Sequence, residues 1–152
     1  MKELHSEIEI SAPAEHVWGI LTDFASYPQW NPFIRSISGE PKTGERLEAR
    51  LEPPLEPPGG QGVTLRPTVL NAEPNRELRW LGHVLVPGLF DGEHFLIIQP
   101  LEDNRVRFVQ REEFRGVLVP LIARSLENNT QQGFEEMNRA LKERAETSPG
   151  EN

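Results

Sequence analysis

Two apolar segments late in the chain carry polar side chains at alternating positions. His94 lies in EHFLIIQ, whereas Gln110 and Glu112 lie in VRFVQREEF. Strict alternation predicts half-buried β-strands, in which every second side chain points to the same face. The apolar residues that share a face with these polar ones are Leu96, Ile98, Phe108 and Phe114. A histidine and a carboxylic acid in one pocket without water can act as acid and base, or can orient a polar atom of a ligand.

The residues on the opposite strand face indicate which face points into the core. Arg107, Arg111 and Glu113 lie on the other face of the last strand and need water. We therefore predict that the three polar side chains point inward, together with Trp80 and Gly82 from the preceding strand. Three interpretations remain open: hydrogen bonding within the protein, the anchoring of a ligand, and acid–base catalysis. Buried polar groups usually need partners first, which favours the interpretations in that order.

The candidate site can be stated as a set of residues. The predicted ligand contacts are Trp30, Trp80, His94, Phe108, Gln110, Glu112 and Asn129. Among them, His94 and Glu112 are the weak candidates for catalysis. In the first interpretation, His94 and Glu112 hydrogen-bond to each other, or to Asn129 in the last predicted helix and to water. Trp80 is favoured as a cavity wall over a specificity residue, because aromatic side chains supply core area by default.

Cofactor and metal sites are not predicted. The histidines have no ligand-like spacing: they are His5, His16, His83 and His94. The glycine-rich stretch at residues 59–62 follows prolines and opens no helix, so it does not match a phosphate-binding loop. No arrangement typical of a serine nucleophile is present either.

The elements that position these residues can be predicted from periodicity and turn residues. A strand is predicted at residues 4–10, and a helix begins near Pro13. An aromatic turn with Tyr27, Trp30 and Phe33 should close one end of the core. Residues 52–62, EPPLEPPGGQG, must form a loop. The further predicted strands are residues 34–38, 45–51, 63–70 with an edge or bulge at Pro67, 78–86, 89–99 and 105–114.

One long helix is predicted at the end of the chain, over residues 117–147. Its apolar stripe consists of Leu118, Ile122, Leu126, Phe134, Met137 and Leu141. Polar residues 128–132 interrupt this stripe, which predicts open space beneath the helix there. The fold class is therefore α+β: a curved antiparallel sheet of about six or seven strands wrapped around the long helix, with two short helices after the first strand. We expect one domain over residues 1–147 and a disordered tail at 148–152.

This layout resembles the helix-grip fold of the START-like, or SRPBCC, superfamily, and in particular its polyketide cyclase/dehydrase-type branch. The matching segments are IEISAPAEHVWGILTDFASYPQWNPFI, NAEPNRELRWLGHV and FDGEHFLIIQPLEDNRVRFVQREEFRGVLVPLI. The resemblance implies a deep cavity between the concave face of the sheet and the terminal helix. Different branches use this cavity for sterols, lipids, aromatic polyketides or plant-hormone-like molecules. It also implies that residues 52–62 lie near the cavity rim, either as a lid or as an ordinary solvent loop.

The composition excludes several classes of protein. A net charge of −8 opposes binding to nucleic acid and to anionic membranes, and the absence of cysteine excludes disulfides and thiolate chemistry. Apolar runs are far shorter than the roughly 20 residues of a membrane-spanning helix. No signal-peptide pattern is present at the N-terminus, so we expect a cytoplasmic protein. Monomer and homodimer both remain open.

Three functions are compatible with these observations. The first is the binding of a hydrophobic small molecule, lipid-like or aromatic, without catalysis or with weak catalysis. The second is a cyclase or dehydratase acting on a polyketide-like substrate, with His94 and Glu112 as acid and base. The third is a protein-interaction module that resembles the branch assisting a molecular chaperone.

Overall fold

The computed structural model describes residues 2–51, 63–83 and 86–147, except for the side chains of residues 63 and 122–127. The loop predicted at residues 52–62 and the tail predicted at 148–152 lie outside this description. The elements in chain order are β1 (Lys2–Ile10), α1 (Ala14–Thr22), a 3-10 turn (Phe24–Ser26), α2 (Tyr27–Trp30), β2 (Ile34–Ser38), β3 (Glu48–Leu51), β4 (Val63–Leu65), β5 (Thr68–Glu73), β6 (Glu77–His83), β7 (Asp91–Pro100), β8 (Val106–Arg115) and α3 (Val119–Thr147).

The strands form two antiparallel sheets, in the orders β1-β8-β7-β6-β5 and β2-β3-β4. An isolated bridge between Arg46 and Thr68 connects them, and the amide of Val69 donates to the carbonyl of Glu45 at 2.8 Å. The α+β helix-grip architecture is therefore confirmed, with eight strands in the described residues. No helix in this part of the chain has the length and hydropathy needed to cross a membrane.

The prediction of a single strand at residues 63–70 is wrong, because the chain changes sheet at Pro67. β4 pairs with β3 of the small sheet, whereas β5 pairs with β6 of the large one. Proline has no amide proton to donate to a continuous ladder. Its carbonyl instead accepts a hydrogen bond from the amide of Leu47 at 2.8 Å.

Helix α3 lies along β1 on the inner face of the large sheet. Lys142 donates to the carbonyl of Glu9 at 3.0 Å, and Gln131 donates to the carbonyl of His5 at 2.9 Å. The stripe is confirmed in its second half, where three of its residues are fully buried: Phe134, Met137 and Leu141. The side chains at 122 and 126 lie outside the described residues. The earlier turns of α3 lead toward the end of the sheet that contains Glu112.

Aromatic side chains close the opposite end of the core. Tyr27 is fully buried and its hydroxyl donates to the carbonyl of Leu21 at 2.6 Å. The ring of Trp30 meets that of Tyr27 edge-on at 5.2 Å, and Phe33 meets Phe134 of α3 at 5.9 Å. The predicted closure of one end is therefore present, and it joins the aromatic turn directly to the long helix.

The outer face of the large sheet carries the charged residues, as predicted from the pattern of β8. The guanidinium groups of Arg79 and Arg111 lie 5.3 and 4.0 Å from the centre of the Phe95 ring. Glu93 and Glu113 pair with these arginines at 3.2 and 3.1 Å. The two cations cover the ring of Phe95, which explains how an aromatic residue on the outer face is buried.

Candidate functional site

The strand register brings four of the seven predicted site residues into two adjacent rows on the inner face. Trp80 of β6 pairs with His94 of β7, which pairs with Glu112 of β8. The adjacent row contains Gln110, whose partner on β1 is Ser6. The polar side chains that the sequence placed inward are thus neighbours in space. Their role as ligand contacts stays a prediction.

A chain of hydrogen bonds crosses from β1 to β7 through α3. The side-chain amide of Asn138 donates to Ser6 Oγ at 2.8 Å. Gln110 Nε2 donates to Asn138 Oδ1 at 2.8 Å and to the carbonyl of Phe134 at 3.3 Å. Gln110 Oε1 lies 2.9 Å from His94 Nε2. Because the amide nitrogen of Gln110 already donates, its oxygen must accept, so His94 Nε2 carries the proton.

The imidazole of His94 is neutral in this position. It is buried, with the ring of Trp80 5.3 Å away edge-on and that of Phe134 stacked at 5.1 Å. Desolvation lowers the pKa of His94 to about 4, although the hydrogen bond with Gln110 opposes this shift. With the proton held on Nε2, Nδ1 is an acceptor at neutral pH, and it is the nitrogen that faces Glu112.

Glu112 is a carboxylic acid kept neutral by its surroundings. Desolvation raises its pKa to about 8, and its side chain is only 16% exposed. Its Oε1 lies 3.8 Å from His94 Nδ1, which is beyond hydrogen-bond distance. Since both groups are uncharged at neutral pH, this contact joins two neutral groups and is not an ion pair.

The carboxyl of Glu112 opens into a small apolar cavity. This cavity has a volume of about 60 Å³, and it is lined by Leu65, Pro67, Trp80, Gly82, Phe90, Gly92, Glu112 and Phe114. Two lining residues have a polar side-chain group: Glu112 has its carboxyl, and Trp80 has the N–H of its indole. The remaining lining residues present apolar atoms, so a ligand atom placed here meets a single carboxyl group.

Two glycines on neighbouring strands line this cavity beside Glu112. Gly82 pairs with Gly92, one row beyond Trp80 and His94. A Cβ atom at position 92 would lie 2.5 Å from Glu112 Oε2, so glycine allows the carboxyl to occupy this position without a shift. At Gly82 the nearest atom to such a Cβ is 3.7 Å away, on Pro67, which is ordinary contact.

Not every predicted contact lies at this cavity. Trp30 packs on Tyr27 at the closed end, and Phe108 is fully buried opposite Ile98. His94 and Gln110 are not among the lining residues, although His94 lies 3.8 Å from Glu112 Oε1 and 5.3 Å from the ring of Trp80. Asn129 is half-buried on α3 and is not among the described lining residues.

Sequence reasoning missed two residues that matter here. Asn138 connects α3 to the polar chain, and Gly92 accommodates the carboxyl. A signal for Asn138 was present, because it lies four residues after Phe134 and three before Leu141, on the buried stripe. The signal for Gly92 was its place on the inward face of the strand containing His94.

Metal binding has no support in the described part of the chain. No group of three histidine, aspartate or glutamate residues there is arranged to hold a metal ion.

The fold and the cavity define a START-like helix-grip protein. The family model described as polyketide cyclase/dehydrase and lipid transport matches residues 1–146, so the chain belongs to this family. No curated protein matches the chain in sequence.

Solved structures with the same fold are numerous. A START superfamily protein from Mycobacterium smegmatis is 20% identical with a TM-score of 0.76, over 97% of this chain and 99% of the other. The ZhuI aromatase/cyclase from Streptomyces sp. R1128 is 19% identical with a TM-score of 0.73, over 95% and 93%. A hypothetical protein from Helicobacter pylori is 17% identical with a TM-score of 0.76, over 95% and 88%. At these identities the similarity establishes the fold.

Proposed function

We propose that this protein binds a hydrophobic small molecule, lipid-like or aromatic, in the cavity next to Glu112. The observation that carries this proposal is the composition of the lining, which is apolar apart from one carboxyl group and the indole of Trp80. Ligand sites typically combine apolar walls with a few polar groups that fix orientation. Membership of a family described by cyclase, dehydrase and lipid transport supports the same conclusion.

The size of the cavity limits what can enter without movement. Its volume of about 60 Å³ has room for roughly four or five water molecules. Typical ligand pockets measure about 300–1,000 Å³. We therefore expect the described cavity to receive one end of a ligand, and a larger molecule to enter only if the surrounding side chains move apart.

Thermal shift and native mass spectrometry test this proposal directly. Protein purified from its own host is analysed for co-purifying ligand, and lipids and aromatic compounds are then added to the emptied protein. A ligand at a hundred times its Kd should raise Tm by roughly 5–10 °C. Absence of any ligand and of any shift across both classes of compound would contradict the proposal.

Two substitutions on β6 test whether the ligand binds in this cavity. Gly82→Val adds a side chain to the lining and should abolish the ligand-induced shift. Leu81→Val changes the same strand on its opposite face and should leave the shift intact. Equal shifts in both variants would place the ligand elsewhere.

An enzymatic role is the second candidate, and the pairing of a neutral acid with a neutral acceptor favours it. In a dehydration, Glu112 would donate its proton to the leaving hydroxyl, and His94 Nδ1 would take a proton from the neighbouring carbon. The C–O bond breaks, a C=C bond forms, and proton return from the imidazolium to the carboxylate restores the pair. Two features make this the second choice: His94 is a weak base, with its pKa at about 4, and it is not among the residues that line the cavity.

Turnover measurements separate the two roles. If the protein is an enzyme, His94→Ala and Glu112→Gln should each abolish activity on hydroxylated polyketide-like substrates while the fold is retained by circular dichroism. A binding protein should show no turnover in any variant, and it should retain ligand-induced stabilisation in Glu112→Gln.

A further inference from the structure

We infer that Glu112 is the specificity-determining residue of the cavity, where it donates a hydrogen bond to an uncharged carbonyl at one end of an apolar ligand. Ketones, aldehydes and esters would be accepted, and free carboxylates would be rejected. This inference rests on the proposed binding function and adds the chemical class of the ligand.

The first argument is that Glu112 has no competing partner within the described residues. Its carboxyl forms no hydrogen bond with a described residue, and His94 Nδ1 lies 3.8 Å from its Oε1. The imidazole cannot approach, because Nε2 is held by Gln110 on the other side of the ring. The carboxyl therefore keeps a hydrogen bond available for a group that enters the cavity.

The second argument concerns the charged groups around the carboxyl. On β7, His94 faces it and is neutral, and the adjacent Gly92 carries no side chain. On β1, Leu4 is its register partner, and Lys2 lies one row further, opposite Phe114. The three arginines of β8, Arg107, Arg111 and Arg115, pair with glutamates on the outer face of the sheet.

The other described residues that line the cavity beside Glu112 carry no charged side chain. Leu65, Pro67 and Phe90 complete the lining, and α3 contributes Phe134 and the neutral Asn138 to the adjacent row. Desolvation is correspondingly the one cause of the raised pKa of Glu112. A carboxyl in these surroundings is a donor at neutral pH, as an alcohol would be.

A ligand group that enters the cavity next to Glu112 also loses its contact with water. A carboxylate brought next to Glu112 would lose its water, and no described residue of the cavity lining supplies a cation, so it would have to bind in its protonated form. At neutral pH this protonation opposes binding. A neutral carbonyl has no such cost and accepts a hydrogen bond from the protonated carboxyl of Glu112 directly.

The experiment compares four ligands with the same eight-carbon body: octane, 2-octanone, octanoate and octylamine. Dissociation constants are measured at pH 6.5 and pH 9.5, and the NMR signal of the Trp80 indole reports binding at this cavity. At pH 6.5, 2-octanone should bind about two- to tenfold more tightly than octane, the effect of one net hydrogen bond. Octanoate should bind more weakly than 2-octanone.

Two variants identify the donor. Glu112→Gln retains an N–H donor without a titrating proton, so it should keep the preference for the ketone at both pH values. Glu112→Leu should bind octane and lose the preference. In the wild type the preference should disappear at pH 9.5.

Several outcomes would overturn the inference while leaving the binding function intact. These are equal binding of octane and 2-octanone, tighter binding of octanoate or octylamine at pH 6.5, or an unchanged ketone preference in Glu112→Leu. If none of the four ligands, nor any compound of the wider thermal-shift series, binds at Trp80, the binding function itself is wrong and the inference fails with it.

Discussion

His94 Nε2 donates a hydrogen bond of 2.9 Å to Gln110 Oε1, and this bond determines which nitrogen of the imidazole faces Glu112. Gln110 can accept only because its own amide group donates to Asn138 and to the carbonyl of Phe134. The orientation of the histidine thus depends on α3, although no residue of α3 contacts the ring through a hydrogen bond in the described structure. The geometry of the candidate site consequently depends on the packing of α3 against the sheet.

The first prediction concerns this hydrogen-bond chain. Gln110→Leu removes the partner of His94 Nε2 and of Asn138 Oδ1 in a buried environment. Leaving such groups unpaired should lower the free energy of unfolding by about 1–3 kcal/mol. Urea denaturation measures the change. Gln99→Leu, at an exposed position of β7, is the matched control and should change stability by less than about 0.5 kcal/mol. Equal effects in the two variants would contradict the prediction.

The second prediction compares the two glycines that face each other. Gly92→Ala places a Cβ 2.5 Å from Glu112 Oε2, so the carboxyl must shift; because this atom is the end of a flexible side chain, the free energy of unfolding should fall by no more than about 1 kcal/mol. Gly82→Ala meets Pro67 at 3.7 Å and should be tolerated. Glu112→Ala should suppress the cost of Gly92→Ala, since the colliding atom is gone. A double-mutant cycle in denaturant tests this coupling, and strict additivity would show that the carboxyl does not occupy the space beside Gly92.

The third prediction is a dependence of stability on pH. The pKa of Glu112 rises from 4.5 to about 8 on folding, so the native state binds more protons than the unfolded state between these values, and its stability falls as pH increases. The pKa of His94 falls from 6.5 to about 4, so its contribution increases stability with pH between those values. The two contributions oppose each other up to about pH 6.5. Between pH 6.5 and 8 only that of Glu112 remains, and it should cost about 2 kcal/mol.

Urea denaturation at a series of pH values measures the free energy of unfolding and checks this prediction. Glu112→Gln cannot titrate and should show no loss of stability between pH 6.5 and 8. The carboxyl carbon signal of Glu112 in NMR reports its protonation directly. A normal carboxyl pKa in the folded protein, or identical pH profiles for wild type and variant, would refute the prediction.

The fourth prediction uses glycines within helices. In α3, a Cβ at Gly133 would collide with the ring of Phe33, so Gly133→Ala should destabilise the protein by about 1–3 kcal/mol despite the better helix propensity of alanine. In α1, a Cβ at Gly19 meets no atom within 4 Å, so Gly19→Ala should stabilise by up to about 1 kcal/mol. Thermal or chemical denaturation of both variants gives the comparison. Stabilisation by Gly133→Ala would mean that α3 does not rest on Phe33 at this point.

Local periodicity was enough to predict which residues of each strand face inward. Successive side chains of a strand alternate between faces, so the pattern of β7 and β8 placed His94, Gln110 and Glu112 on the inner face without knowledge of their partners. The aromatic turn and the second half of α3 were predictable for a similar reason, because apolar side chains must be covered. The strand over residues 63–70 was mispredicted because pairing with two different sheets, rather than local propensity, divides the chain at Pro67.

The composition and the alternating patterns of the sequence by themselves determined the α+β class, the helix-grip layout and the inward direction of the polar side chains. Only the tertiary structure decided that Trp80, His94 and Glu112 share one row, and that Asn138 rather than Asn129 joins Gln110. It also decided that Gly92 makes room for the carboxyl beside an apolar cavity. Strand register and the rotation of a helix depend on contacts between residues far apart in the chain, and a local pattern specifies which face is buried without specifying what it will meet.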